Sequence, residues 1–264
     1  MSYKEKIARR ASREVMPGQV INLGIGIPTL IPDYLTSDTP VWIQSENGIL
    51  GMGPRCRRGT EDRNLIDAGG SYVSLQPGAA FMDSGLSFAL VRGGRLDVAF
   101  LGALEISGAG DLANWIIPGK YAPGIGGGME LAQKARRVIV TTTHTTRSGA
   151  PKILNQCTLP LTAPSCVNTI ITELAVIEVT AEGLRLLEIA AESDVEQVLA
   201  KTEAPLIIPE GELPVLKDRL ERDFIAYHFR RLGGDTLALS RFLGLGRRQL
   251  YRRCARLGIL LRKL

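Results

Sequence analysis

The chain has 264 residues, 45% of them hydrophobic and 5% aromatic, with 29 glycines and a formal net charge of +5. That length suits one large α/β domain, or a domain of about 200 residues with a small appendage, and the glycine-rich, aromatic-poor balance points to tight turns rather than stacking surfaces. The charge-free stretch 15–32 is excluded as a membrane span, because Pro17, Gly18, Asn22, Gly24, Gly26 and Pro28 interrupt it.

No secretory signal is expected, since Lys4, Lys6, Arg9 and Arg10 fall in an amphipathic pattern rather than ahead of an apolar run. A cytoplasmic protein follows as the expectation. Cys56, Cys157, Cys166 and Cys254 form no CxxC pair, and His144 and His228 are the two histidines. Free thiols and no metal site are expected.

In chain order, Lys4 to Val15 places Ile7, Ala8, Ala11 and Val15 at helical spacing. The apolar run Val20-Ile21-Asn22-Leu23 predicts a buried strand, followed by a Gly turn and a short helix started by Pro28. Val41-Trp42-Ile43 predicts the next strand. Further strands are expected at Asp97–Leu101, Val138–Thr142, Thr169–Val179 and Leu184–Glu188, with a helix over Gly126–Arg136. Short apolar strands separated by helices predict an α/β fold, a mostly parallel sheet flanked by helices.

Pro205 to Pro214 (PLIIPEGELP) reads as a boundary, dividing residues 1–209 from 216–264 through a linker at 210–215. Charge divides there too. From Glu212 onward there are 13 Lys/Arg against 5 Asp/Glu, a net of +8, which leaves 19 basic and 22 acidic residues before it, a net of −3. Such asymmetry predicts two functional parts. Beyond the boundary, Leu216–Leu232 predicts an amphipathic helix ended by Gly233-Gly234. Asp235 or Thr236 caps a second helix, and Gly244-Leu245-Gly246 turns into a third, Arg247–Leu257. Two short helices around a Gly turn, the second rich in arginine, predict a small all-α helix-turn-helix segment. Arg247, Arg248, Gln249 and Arg252 then stand where a recognition helix meets bases and phosphates of duplex DNA. A basic helical hairpin used for dimerisation, or one that is simply solvated, fits the same residues.

Three features of the first part carry chemistry. In Asn22-Leu23-Gly24-Ile25-Gly26-Ile27-Pro28 a strand runs into a Gly turn and a helix start, whose N–H groups can hold an anion or a developing oxyanion. A plain strand–helix turn fits as well, and Thr29 stands where a dinucleotide fingerprint would need glycine. Ser45-Glu46-Asn47-Gly48 follows a strand directly, and side chains at the C-terminal ends of parallel strands face the crevice where ligands bind. A carboxylate there can be a nucleophile or a base, and the same tetrapeptide can serve as a turn alone. In Gly124-Ile125-Gly126-Gly127-Gly128-Met129-Glu130, the consecutive glycines either admit pantetheine or phosphate close to the backbone or form a hinge.

Taken together and in order, these segments, with Asp111 to Lys120 (DLANWIIPGK), Cys157 to Thr162 and Ile171 to Val176, resemble the β subunit of family I coenzyme A transferases. The resemblance runs over residues 3–209 and is to the acetoacetate and 3-oxoacid type. It implies the fold shared with ribose-5-phosphate isomerase, and Glu46 as the catalytic carboxylate, attacking a thioester and becoming a glutamyl-CoA thioester. Coenzyme A is then substrate and covalent intermediate, with no permanently bound cofactor. Backbone amides of Gly24, Gly26, Gly126, Gly127 and Gly128 become candidates for oxyanion or CoA binding, and Asn47 either orients the carboxylate or supports its turn. His144 is given no role. The resemblance further implies an α subunit supplied as a separate chain, an oligomer, and a short 3-oxoacid such as acetoacetate exchanging with succinyl- or acetyl-CoA. The stretch Gly233-Gly234-Asp235 to Arg253 is similar to the Fis-type DNA-binding domain of bacterial activators. An acyl-CoA-responsive regulator, with the transferase fold as sensor, is the alternative.

Overall fold

The computed structural model describes residues 1–35, 39–120, 124–209, 224–226, 228, 229, 231–257, 259 and 261. The chain divides into two compact units, Met1–Ile207 and Ile208–Leu264. The expected linker at 210–215 and the first turns of the helix expected from Leu216 lie outside the described residues.

In the first unit, α1 (Tyr3–Ala11) begins at a capping box in which the Ser2 hydroxyl accepts from the Glu5 N–H and Glu5 accepts from the Ser2 N–H. It buries Ile7, Ala8 and Ala11. The expected continuation to Val15 is instead a 3₁₀ turn over Ser12–Glu14. A single sheet collects ten strands: β1 (Val20–Leu23), β2 (Trp42–Ser45), β3 (Ile49–Arg55), β4 (Val73–Phe81), β5 (Val98–Leu101), then β8 (Arg137–Thr141), β10 (Thr169–Ile171), β11 (Ala175–Thr180), β12 (Gly183–Ile189) and β13 (Leu206–Ile207). Their spatial order is β13-β12-β11-β10-β8-β5-β1-β2-β3-β4. A small second sheet holds β6 (Glu105–Ser107), β7 (Leu112–Ala113) and β9 (Ile153–Leu154).

The middle of the large sheet, β10-β8-β5-β1-β2, is parallel throughout. Antiparallel strands extend it at both ends, β3 and β4 on one side and β11 and β12 on the other. The expected parallel sheet is therefore the core of a mixed one. The single strand expected over Thr169–Val179 is two antiparallel strands, β10 and β11. Thr172 breaks it: its hydroxyl accepts from the N–H groups of Leu174 and Ala175, a side-chain turn that competes with extended pairing. The Pro28 helix is a 3₁₀ stretch over Ile27–Tyr34, and the helix expected over Gly126–Arg136 is the shorter α3 (Gly128–Lys134). The helices α2 (Ser84–Arg92) and α4 (Val195–Ala200) complete the unit. Its main core packs Ile7, Ile21, Ile31, Ile43, Val98, Phe100, Ile139 and Ile171.

The second unit has its own core of Ile225, Phe229, Leu239, Leu250, Cys254, Leu257 and Ile259. Helical residues within 224–231 precede α5 (Thr236–Phe242) and α6 (Arg247–Arg256). Asp235 caps α5 by accepting from the Leu237 N–H. Leu239 of α5 and Leu250 and Cys254 of α6 face inward, while Arg247, Arg248, Gln249 and Arg252 are exposed.

Candidate active site

Because β1, β2 and β5 run parallel, their C-terminal ends open on one edge, and the chain leaves them at Gly24, Glu46 and Gly102. Ser45 is buried as the last residue of β2, and Glu46 follows half-buried at the start of the turn into β3. Gly48 closes that turn. Its φ of +117° suits only glycine, and a Cβ there would lie 2.0 Å from the Met82 carbonyl oxygen. The turn is tied by the Gly48 N–H to Ser45 O (3.0 Å) and by the Met82 N–H to Gly48 O (2.9 Å).

Behind Glu46 runs a line of buried polar side chains. Asn22 Nδ2 donates to Glu46 Oε2 (3.0 Å), to Gln44 Oε1 (2.7 Å) and to Gln44 O (3.1 Å). Gln44 Nε2 donates to Ser87 Oγ (2.8 Å) on α2, and Ser87 Oγ donates weakly to Ser45 O (3.4 Å). Asn22 and Ser87 are fully buried and Gln44 nearly so. Polar groups are buried at such cost that each needs a partner, and here the chain of partners ends on the Glu46 carboxylate.

The Gly-rich loop comes to the same place. A Cβ on Gly127 would meet Phe88 Cζ at 2.7 Å, so any larger residue must displace that ring, and it would lie 3.5 Å from Glu46 Cγ, which places this backbone beside the carboxylate. Gly128 faces Thr162 and Asn114. Asn114 is fixed between Gly102 O, to which its Nδ2 donates (3.0 Å), and the Thr162 hydroxyl, which donates to its Oδ1 (2.6 Å). Trp115 donates from Nε1 to Leu161 O (3.2 Å). The segments DLANW and CTLPLT are thereby brought beside the loop.

The candidate backbone donors divide. Among the described residues the N–H groups of Gly26, Gly126 and Gly127 have no protein acceptor, whereas Gly24 donates to Phe100 O (2.8 Å) and Gly128 to Ile125 O (3.1 Å). Gly24 therefore belongs to the sheet and Gly128 to its own turn. Asn47 points away from the carboxylate: its Nδ2 donates to Ile66 O (2.7 Å) and holds the loop between β3 and β4. Of the two roles expected for it, this geometry fits support of the turn. Asn22, Asn114 and Thr162 lie inside motifs read from the sequence without a role of their own, and Gln44 and Ser87 lie outside every such motif. The one signal available was a polar residue inside an apolar strand, as at Asn22 and Gln44.

His144 is fully buried between the hydroxyls of Thr172 (Nδ1, 2.9 Å) and Thr202 (Nε2, 2.8 Å). Burial, helped by the charge of Lys201, lowers its pKa to about 4. All four cysteines are free. Burial first, then Glu105 and Asp111, pushes the Cys157 thiol up to about 12, and burial pushes Cys166 up to about 11. Thiols raised in this way hold their protons at neutral pH, which disfavours a nucleophilic thiolate. Among the described residues no group of three or more His, Cys, Asp or Glu could hold a metal, and no helix is long and apolar enough to cross a membrane.

Residues 4–201 match the family model described as coenzyme A transferase. Over 208 residues the chain is 48% identical to the probable coenzyme A transferase subunit beta of Bacillus subtilis (strain 168), covering 79% of this chain and 96% of that protein. It is 45% identical over 204 residues to the acetate CoA-transferase subunit beta of Escherichia coli (strain K12), covering 77% and 93%. In structure it resembles the acyl-CoA transferase YdiF apoenzyme from Escherichia coli O157:H7, with a TM-score of 0.65 at 23% identity; the match takes in 79% of this chain and 42% of that one. The α/β fold is thus one shared with an acyl-CoA transferase of known structure, and the chain belongs to the coenzyme A transferase family. Coenzyme A is a substrate in this family, not a resident cofactor.

Proposed function

We propose that the chain is the β subunit of a transferase that moves coenzyme A between succinyl- or acetyl-CoA and a short 3-oxoacid such as acetoacetate, with Glu46 as nucleophile. The observation that carries this reading is the Glu46 carboxylate itself, half-buried at the end of β2, hydrogen bonded by Asn22 and flanked by the Gly127 backbone. In the first step a Glu46 oxygen attacks the thioester carbonyl, and the CoA thiolate leaves to give a mixed anhydride. The thiolate then attacks the Glu46 carbonyl carbon, the donor carboxylate departs, and a glutamyl-CoA thioester remains. The acceptor carboxylate runs the two steps in reverse, so one difficult exchange becomes several easier ones. The N–H groups of Gly26, Gly126 and Gly127, without a protein acceptor among the described residues, are our candidates for the oxyanion donors, each contributing about 3 kcal/mol when aimed at the tetrahedral intermediate.

A short carboxylic acid as partner substrate is in keeping with the acetate-specific name of the Escherichia coli relative; the 3-oxoacid rests on the resemblance carried by Trp115 to Lys120. That relative and the Bacillus one are both named as beta subunits, which supports a separate α chain completing the enzyme. The test is co-expression with that α chain and an assay of CoA exchange, with borohydride used to trap the thioester. Glu46→Gln should abolish both exchange and trapping, with kcat falling by about a thousandfold or more. Exchange that survives Glu46→Gln defeats the reading.

For the second unit we propose a helix-turn-helix of Fis type that binds duplex DNA. The exposure of Arg247, Arg248, Gln249 and Arg252 on α6, the helix that buries Leu250 and Cys254 in the core of this unit, favours it. The alternative regulator would need DNA affinity that responds to acyl-CoA, and no requirement for Glu46.

A further inference from the structure

The buried line behind Glu46 has a polarity, and its far end reinforces that polarity. An amide side chain is nearly symmetric in shape but not in charge: one end donates and the other accepts. Asn22 can face a carboxylate productively only with its NH₂ end. With its oxygen turned that way, two electron-rich groups would oppose each other. Its NH₂ end is favoured by two acceptors on Gln44, the main-chain oxygen at 3.1 Å and, at the shorter 2.7 Å, the side-chain Oε1. Gln44 in turn presents that oxygen because its own NH₂ end is taken by Ser87 Oγ at 2.8 Å, whose hydrogen is directed to Ser45 O at 3.4 Å. Reversing Gln44 would set NH₂ against NH₂. Asn22 Oδ1 is buried without a donor among the described residues, so this amide is held by its donor end alone.

We propose, building on the reading of Glu46 as nucleophile, that Gln44 and Ser87 are positioning residues: through Asn22 they hold the attacking carboxylate in one rotamer. Both are buried, Gln44 at 2% and Ser87 at 0% exposure, so they act from behind the carboxylate rather than on substrate. Their effect belongs to the covalent steps, where a misplacement of the reacting oxygen is costly, rather than to acyl-CoA binding.

The experiment uses the complex with the α chain and the variants Gln44→Met, Ser87→Ala, Asn22→Ala and the double variant Asn22→Ala/Gln44→Met. Gln44→Met should lower kcat roughly ten- to a hundredfold, the scale of a misoriented reacting group. KM for acyl-CoA should stay within about a factor of two, as for a group acting only in the covalent steps. Ser87→Ala should act in the same direction by less. In the Asn22→Ala background Gln44→Met should change kcat no further, because its path to the carboxylate is already cut. A merely structural role would instead give additive losses in kcat and a rise in KM. Unchanged kcat in Gln44→Met and Ser87→Ala, or full additivity in the double variant, overturns the proposal. If Gln44→Met does not fold, Ser87→Ala, which removes one oxygen, decides by itself. Glu46→Gln separates the two ideas. Exchange surviving there removes the nucleophile reading and this one with it, whereas a dead Glu46→Gln beside fully active Gln44 and Ser87 variants removes the positioning role alone.

Discussion

His144 and Glu46 show how burial sorts titratable groups in this chain. Glu46 stands at a strand end with one buried donor, where a carboxylate can act. His144 is enclosed by two threonine hydroxyls, neutral, and placed for stability. Its pKa in the folded chain is about 4, against 6.5 unperturbed. The sign follows from which state takes up the proton. Below about pH 6.5 the unfolded chain protonates His144, while the folded chain resists until about pH 4, so the unfolded state binds more protons across that window. Stability should therefore fall as pH drops from 6.5 to 4, by up to about 3 kcal/mol for a shift of this size. Urea unfolding at a series of pH values checks it: His144→Gln should be less stable at pH 7 yet show a flatter decline. An identical decline in both proteins would assign the pH dependence to other groups.

Among the elements, α1 is held to the sheet by charge as well as by Ile7 and Ala8. Arg10 donates from Nε to Glu188 Oε2 (2.6 Å) and from Nη2 to Glu188 Oε1 (2.7 Å) on β12, and from Nη1 to Glu14 (2.7 Å). Arg137 of β8 donates to the other oxygen of Glu14 (2.8 Å). These side chains are largely covered, with Arg10 at 18%, Glu14 at 17% and Glu188 at 24% exposure. Removing the shared cation leaves two partly buried carboxylates underpaired. Arg10→Met, which keeps the packing of the stem, should cost about 2 kcal/mol, below the loss for fully buried pairs because water still reaches these. A denaturant midpoint within error of the parent would show the cluster to be decorative. This clamp was invisible in the sequence, since Arg10 and Glu188 lie far apart in the chain. What could be read there were the features that local patterning encodes: the strands at Val20, Val41, Asp97 and Val138, the start of α1, and the Gly turns. The hairpin of β10 and β11 was hidden because its turn is short, with Thr172 and Glu173 a brief polar break in an otherwise apolar run that reads as one strand. The small sheet was hidden because its strands are two or three residues long. At the site, the SENG and Gly-loop segments were legible, but not which amides were already committed to the sheet, nor that Asn22, Gln44 and Ser87 form a line.

At the scale of the whole molecule, two compact units differ in what their chemistry can address. The first carries the carboxylate site; the second encloses a small apolar core and exposes arginines on α6. A chain ending at Ile207 should keep CoA exchange with its α partner, because every residue drawn into the site lies before that point. The same truncation should lose affinity for duplex DNA. In the full chain that affinity should fall steeply with salt, since each phosphate neutralised by arginine releases counterions, and contacts from Arg247, Arg248 and Arg252 would give a log–log slope of about −3. Arg248→Ala or Arg252→Ala should make the slope shallower by about one when the residue meets a phosphate, whereas a residue that meets a base should lose sequence preference instead. Measuring binding of the full chain and of the truncated chain from low to physiological salt decides the matter. DNA affinity that ignores either the truncation or the salt would remove nucleic acid as the partner of α6, and would leave a dimerising hairpin as the reading of that surface.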